Sequence, residues 1–169
     1  MEMLDYIRQR RAVRRYKDAV PEEGYIEKIL EAGRWAPSGL NNQPWRFLVI
    51  KDKERKAAIS KFTKYAKIIE SAPVLVIVCM DVADSYNRDK DLMAIGACIQ
   101  NILLEAHSLD MGACWLGEIL NNKGRLSKYL GLDDDFEIMA VLAVGFSDEE
   151  LTEGCRKPLM KLMIKADEN

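Results

Sequence analysis

"PVLVIVCM", residues 73–80, is apolar throughout and rich in β-branched side chains. A strand with one wet face alternates polar and apolar residues. This stretch does not, which predicts a strand covered on both faces. The cover has to come from helices on both sides, so what flanks this stretch decides the fold class. "FEIMAVLAVGF" (136–146) predicts a second buried strand, "WRFLVIK" (45–51) a third, and residues 113–117 a short fourth.

Helical patterns fill most of the rest. Leu92, Ile95, Ile99, Ile102, Leu103 and Ala106 recur at helical spacing and predict a long helix over 90–109. In "VPEEGYIEKILEAGRWAP", Pro21 suits a first helical turn, Glu22 and Glu23 suit the N-terminal dipole, and Pro37 stops the helix. Its Ile26, Ile29, Leu30 and Gly33 share one face. Shorter helices are expected over 3–11, over 53–62 with Asp52 as cap, over 64–71, and over 122–130 with Gly131 as the stop. Met111-Gly112 is expected to turn the chain into the short strand. The tail "CRKPLMKLMIK" carries apolar residues with no partner in view. The expectation is one α+β domain over residues 1–169, with about four core strands.

Composition narrows the function. Charged residues make up 31% and hydrophobic residues 49%, an ordinary globular balance. No apolar run approaches the roughly 20 residues of a membrane span, and "MEMLDYIRQRR" has no apolar core for a signal peptide. A cytoplasmic protein with no membrane association is expected. The cysteines, at 79, 98, 114 and 155, include no Cys-x-x-Cys pair and read as reduced and structural. His107 is the one histidine, which argues against a multi-histidine metal site or a Ser-His-Asp triad. "GACWLG" (112–117) has P-loop glycine spacing, but Glu118 stands where that loop requires lysine. No G-x-G-x-x-G follows a strand. Asp133–Asp135 lacks calcium-loop spacing and reads as a solvated turn.

Two segments stand out. "RQRRAVRRY" (8–16) packs five arginines into eight residues, in a chain of net charge −2. With 25 basic and 27 acidic residues overall, a nucleic-acid grip is disfavoured. A solvated cluster and a phosphate clamp remain. The arginines sit at a helix-to-extended junction, where some should turn inward and need an anion; a phosphate monoester suits their forked donors. "APSGLNNQPWRF" (36–47) sets small residues, two asparagines and a glutamine between Trp35 and Trp45. It is either a capped loop before a strand or a surface for a flat ligand. Small residues allow close approach, and amides read a ring edge that has both donors and acceptors.

Taken in order, "RRAVRRY", "APSGLNNQPWRF", "GACIQNILLEAHSLDMGACWLG" and "CRKPL" resemble the FMN-dependent nitroreductase family across nearly the whole chain. The resemblance implies an α+β fold built on a mostly antiparallel sheet of about four to five strands flanked by helices, with a C-terminal tail exchanged between subunits. It implies a homodimer that binds FMN across the interface. Arg10, Arg11 and Arg14 would hold the phosphate and pyrimidine edge, with Ala12 contributing main chain where the family often has serine. Pro37, Ser38, Gly39 and Asn41 would cover the flavin from the other subunit. Leu116, Gly117 and Glu118 would bring main-chain groups to the reactive face. Arg156 would reach the phosphate; Gly154 stands where many members carry a second basic residue.

The implied activity passes electrons from NADH or NADPH, through flavin, to a small acceptor such as a nitroaromatic or quinone. No side chain presents itself as an obligatory acid or base. A specialised flavoenzyme on the same scaffold, such as a reductive dehalogenase, would close a lid over its substrate. The only lid candidates here are 61–71 and 81–91, which favours an open site. A non-enzymatic FMN-binding or sensing module is the other alternative.

Overall fold

The computed structural model describes residues 2–150 and 152–164. Four strands form one antiparallel sheet in the order β1-β2-β4-β3: β1 Trp45–Ile50, β2 Val74–Asp81, β3 Met111–Leu116 and β4 Phe136–Phe146. All eight residues of β2 are buried, as an apolar run without alternation requires. Its side chains divide by parity. Val74, Val76, Val78 and Met80 join one cluster, and Leu75, Ile77 and Cys79 the other. Opposite Val78 and Cys79 the register shifts, so Ala140 and Ile138 pair consecutively and point to opposite faces.

The helices are α1 Met3–Gln9, α2 Glu23–Arg34, α3 Lys53–Ile59, α4 Ala66–Ser71, α5 Arg88–Ser108 and α6 Lys123–Leu130. On one face α2 and α5 bury Ile26, Ile29, Ile95, Ile99 and Ile102 against the sheet. On the other, Ile59 of α3, Ile69 of α4 and Leu126 of α6 pack with Val13, Tyr16 and Ile119. The α+β class, the helices on both faces and the four strands therefore stand as read. Strand β4 begins and ends where the sequence places it.

Several boundaries differ. Helix α2 starts at Glu23 with Glu22 as its cap, so Pro21 precedes the helix instead of occupying its first turn. Leu30 is only partly buried on that helix. Asp52 does cap α3, accepting from Arg55 N at 2.7 Å, but the helix gives way to a 3₁₀ turn over Ser60–Phe62. Helix α5 begins at Arg88, where the Asn87 side chain accepts from Lys90 N. Met111 and Gly112 do not make the turn before β3; both lie within the strand, and Asp110 turns the chain in a left-handed conformation (φ 56°). Gly112 is where Val13 lands, and a Cβ there would sit 2.4 Å from the valine Cγ2. The tail exposes Leu159, Met160, Leu162, Met163 and Ile164. Lys165, the last residue of the quoted tail segment, lies outside the described residues.

Candidate functional site

The arginine segment leaves α1 at Arg10 and runs extended along the edge of the sheet. Ala12 bridges Ala113 of β3 and Tyr16 bridges Ser147. Val13 N donates to the Ala113 carbonyl at 3.1 Å. The Tyr16 hydroxyl, buried among main-chain carbonyls, donates toward Val13 O and Ala143 O. The buried positions in the segment are thus 13 and 16, and the arginines are divided around them.

Arg10 and Arg11 line one pocket with Val13, Leu103, His107 and Asp110. Burial lowers the Arg10 pKa, and repulsion from Arg156 and Arg11 lowers it further, which places three guanidiniums in one field. His107 is likewise held below its ordinary value, first by burial and then by Arg10. No ion pair among the described residues includes Arg10, Arg11, Arg14 or Arg156. Asp110 is the carboxylate in the pocket lining.

The three cations differ in how free they are. Arg11 Nε donates to Thr152 O at 2.9 Å, and Nη1 donates to the Arg8 and Arg10 carbonyls. Gly154 lies against its guanidinium: a Cβ at 154 would be 2.6 Å from Arg11 Cζ. Arg11 therefore ties the C-terminal segment to the N-terminal one. Arg156 spends one donor on its neighbour's carbonyl, Cys155 O. The Arg10 guanidinium makes no hydrogen bond to another described residue. Arg8 and Arg15 are exposed, and Arg15 reaches Glu149 at 3.6 Å.

A second pocket, of about 300 Å³, adjoins the end of β3. Arg14, Cys114, Leu116, Gly117 and Glu118 line it with Tyr65, Ile68 and Trp115. Arg14 is held by its main chain, whose N–H donates to the Glu149 carboxylate at 2.7 Å. Its exposed side chain reaches back to Ala12 O at 3.3 Å. The Glu118 carboxylate accepts from Thr63 Oγ1 and from Lys64 N, and these donors, the hydroxyl above all, hold its pKa below the ordinary value.

Pro37, Ser38, Gly39 and Asn41 lie elsewhere. Their loop precedes β1, at the sheet edge opposite β3. It is anchored near the start of α5, where Asn42 Nδ2 donates to Asp91 Oδ1 at 2.8 Å. Asp91 is fully buried. Burial alone would raise its pKa, but donors from Ser85, Asn42 and the 86–87 main chain outweigh that and keep it low. The Arg10 pocket lies against His107, sixteen residues along the same helix. At about 1.5 Å per residue, the two ends are about 24 Å apart. Leu40, Asn41 and Gln43 all have positive φ, at 54°, 55° and 48°. Leu40 is 86% exposed. Gly39 has a packing reason within its own chain, since a Cβ there would meet the Tyr86 hydroxyl at 1.7 Å.

The structure thus brings Arg10 and Arg11 to one pocket, with Arg156 near enough to repel Arg10, brings Arg14, Leu116, Gly117 and Glu118 to a second, and leaves the 37–41 loop apart. Sequence reasoning missed His107, Tyr65, Ile68 and Trp115 as pocket walls. Only the exposed Trp115 within an otherwise apolar strand offered a local signal.

Such an α+β frame, a sheet covered by helices on both faces with a cationic pocket beside a glycine-bearing strand end, is that of a flavin-binding oxidoreductase scaffold. Comparison with known proteins agrees: the model of the nitroreductase family matches residues 7–66 and 60–146. The chain belongs to the nitroreductase family. A protein of Desulfovibrio desulfuricans described as a nitroreductase, solved in complex with FMN, superposes with a TM-score of 0.93. It is 43% identical, with 98% of this chain and 97% of that one covered. An NADH dehydrogenase of Thermus thermophilus is 42% identical over 189 residues, covering 92% of each protein. A protein of Methanothermobacter thermautotrophicus, described as an NADH dehydrogenase/NAD(P)H nitroreductase, is 37% identical over 117 residues. That match covers 69% of this chain and spans 61% of the relative's length.

Proposed function

We propose that this chain is an FMN-dependent oxidoreductase that takes electrons from NADH or NADPH and passes them to a small acceptor such as a nitroaromatic or a quinone. The observation that carries the reading is the Arg10 guanidinium, desolvated beside two like charges and bonded to no described residue. Such a cluster costs stability by itself and calls for an anion. A phosphate dianion meets that demand, with Arg10 and Arg156 as its clamp and Arg11 adding its field while anchoring the tail. The donor set thus fits FMN.

FMN, when bound, supplies the two-electron chemistry, and the protein supplies binding and electrostatics. Arg14 stands beside Leu116, Gly117 and Glu118, so a ring in that pocket has a fixed cation along one edge. Charge that develops on the ring during reduction is stabilised best by a cation already in place. Ala12 is held to β3 and supplies main chain only. No acid or base is assigned.

The 37–41 loop completes the site in a second copy of the chain, because its anchor at Asp91 lies about 24 Å along α5 from His107 at the arginine pocket of its own chain. The exposed apolar tail, 159–164, packs on the same neighbour. One domain over 1–169 therefore works as a homodimer with small-molecule partners. The test is spectroscopic. Purified protein loaded with FMN should bleach anaerobically with NADH or NADPH and regain its colour with a quinone. A bound flavin that neither nucleotide reduces would turn the reading to a non-enzymatic flavin-binding module.

A further inference from the structure

The mouth of the pocket at the end of β3 is built from two chain segments more than fifty residues apart. One is the turn after β3, beginning at Gly117 and Glu118. The other is the short stretch between α3 and α4. Three hydrogen bonds join them, and α6 adds two ring contacts. The Glu118 carboxylate accepts from Thr63 Oγ1 and from Lys64 N, the latter at 3.1 Å. Asn122 Nδ2 donates to Phe62 O at 2.8 Å. The Phe62 ring lies 5.7 Å from that of Tyr129 and 5.6 Å from the Arg125 guanidinium. Thr63 Oγ1 also accepts from Tyr65 N at 3.2 Å, so one hydroxyl both holds the carboxylate and sets the start of α4. Tyr65 and Ile68 follow directly, and both line the pocket.

We propose that Glu118 is a positioning residue: its carboxylate clips the 62–65 turn to the end of β3, so that Tyr65 and Ile68 form a fixed wall of the ring pocket. The proposal rests on the flavin reading above and assigns the Glu118 side chain a role separate from its main chain. Phe62 and Ile68 pack on the core, but between them the clip is what ties residues 63–65 to the end of β3. Lys64 and Tyr65 are exposed, and Lys64 lies over the Tyr65 ring in solvent. A stretch held by a few polar contacts opens on its own, well below the cost of global unfolding. An aromatic wall that opens stops contributing stacking area to a bound ring.

The segment reports on itself, because Lys61, Lys64 and Lys67 are trypsin sites within it. Flavin-free wild type, Thr63→Val, Thr63→Ser, Glu118→Ala and Glu118→Gln should be digested under native conditions, with thermal unfolding as the control for global stability. Loss of one charge-assisted bond should raise the open population roughly tenfold, and cleavage follows that population when reclosing is fast. Thr63→Val and Glu118→Ala should therefore be cut about tenfold faster at these lysines. Thr63→Ser, which keeps the donor, should be cut at the wild-type rate, and Glu118→Gln, which keeps an acceptor but not its charge, at an intermediate rate. Riboflavin, which has the ring but no phosphate, should bind severalfold more weakly to Thr63→Val and Glu118→Ala and normally to Thr63→Ser. Unchanged cleavage in Thr63→Val and Glu118→Ala overturns the clip. Faster cleavage with full riboflavin affinity overturns the wall. A wild type that binds no riboflavin, with cleavage that still follows the clip, keeps the clip and overturns the flavin reading instead.

Discussion

Truncating Arg10 should separate two quantities that normally fall together. Its guanidinium is desolvated, repelled by Arg156 and Arg11, and bonded to no described residue. In the flavin-free protein Arg10→Ala therefore removes an unfavourable charge and should leave the melting temperature unchanged or raise it. With FMN the same change removes a charge-assisted hydrogen bond, worth roughly 1.5–3 kcal/mol. At about 1.4 kcal/mol per tenfold, that is a tenfold to hundredfold weaker Kd. Wild type also gains from the phosphate neutralising this repulsion, a gain the variant lacks, which puts the expected loss for FMN toward the upper end, nearer a hundredfold. Riboflavin lacks the phosphate and should bind as before. Arg11→Ala is the contrast, since it loses donors to Thr152 O, Arg8 O and Arg10 O and should lower the melting temperature of the free protein. The assay is flavin fluorescence titration of each variant with FMN and with riboflavin at one ionic strength, beside thermal melts without flavin. Equal losses for both flavins, or a destabilised Arg10→Ala apoprotein, would refute the clamp.

Three further outcomes are expected. FMN-bound protein should sediment as a dimer, and a monodisperse monomer with full flavin occupancy would sink the placement of the 37–41 loop. Gly112→Ala drives a methyl into Val13 and should cost about 1–3 kcal/mol in urea unfolding, with part regained in Gly112→Ala/Val13→Ala; simple additivity would argue against that contact. Glu137 is held down to about 2, chiefly by hydrogen bonds from Arg88 and also by Lys123. Its folded pKa lies below the unfolded value of about 4.3, so its contribution is present above pH ~4.3 and is lost as pH falls toward 2. The melting-temperature gap between wild type and Glu137→Gln should accordingly narrow between pH 6 and pH 3, and a constant gap would contradict the ion pair.

What the sequence made legible was the part governed by burial along a single strand or helix. Residues 73–80 and 136–146 are apolar for a reason that needs no partner's identity: each faces two layers. The helix at 88–108 and the stop at Gly131 follow from spacing and from a left-handed C-terminal residue (φ 67°) in the same local way. The misreadings fall where a distant residue decides. Gly112 looked like a turn glycine, yet its role is to receive Val13, some hundred residues earlier, while Asp110 does the turning. Tyr65 and Ile68 became pocket walls because Glu118 reaches Thr63, a contact with no signature in either segment. The arginines were legible as a cluster. Which of them is free was not, because that depends on Thr152 O and Gly154, at the far end of the chain.

The 38–43 loop joins these points. A left-handed conformation costs a residue with a side chain about 1–2 kcal/mol, and Leu40, Asn41 and Gln43 each adopt one. The anchors that hold it are Ser38 Oγ, which accepts from Gln43 N at 3.0 Å, Gln43 Nε2 donating to Asn41 O, and the Asn42–Asp91 bond. None of these engages the Asn41 side chain, and Leu40 is left in solvent. The fold thus spends bonds on displaying an amide and a leucine that do nothing for their own chain, at the sheet edge opposite the arginines. Strain of this kind persists only where the surroundings fix it, and it gathers at sites that bind. If, as proposed, a second copy brings its loop to the first copy's arginines, flavin affinity and self-association should rise and fall together.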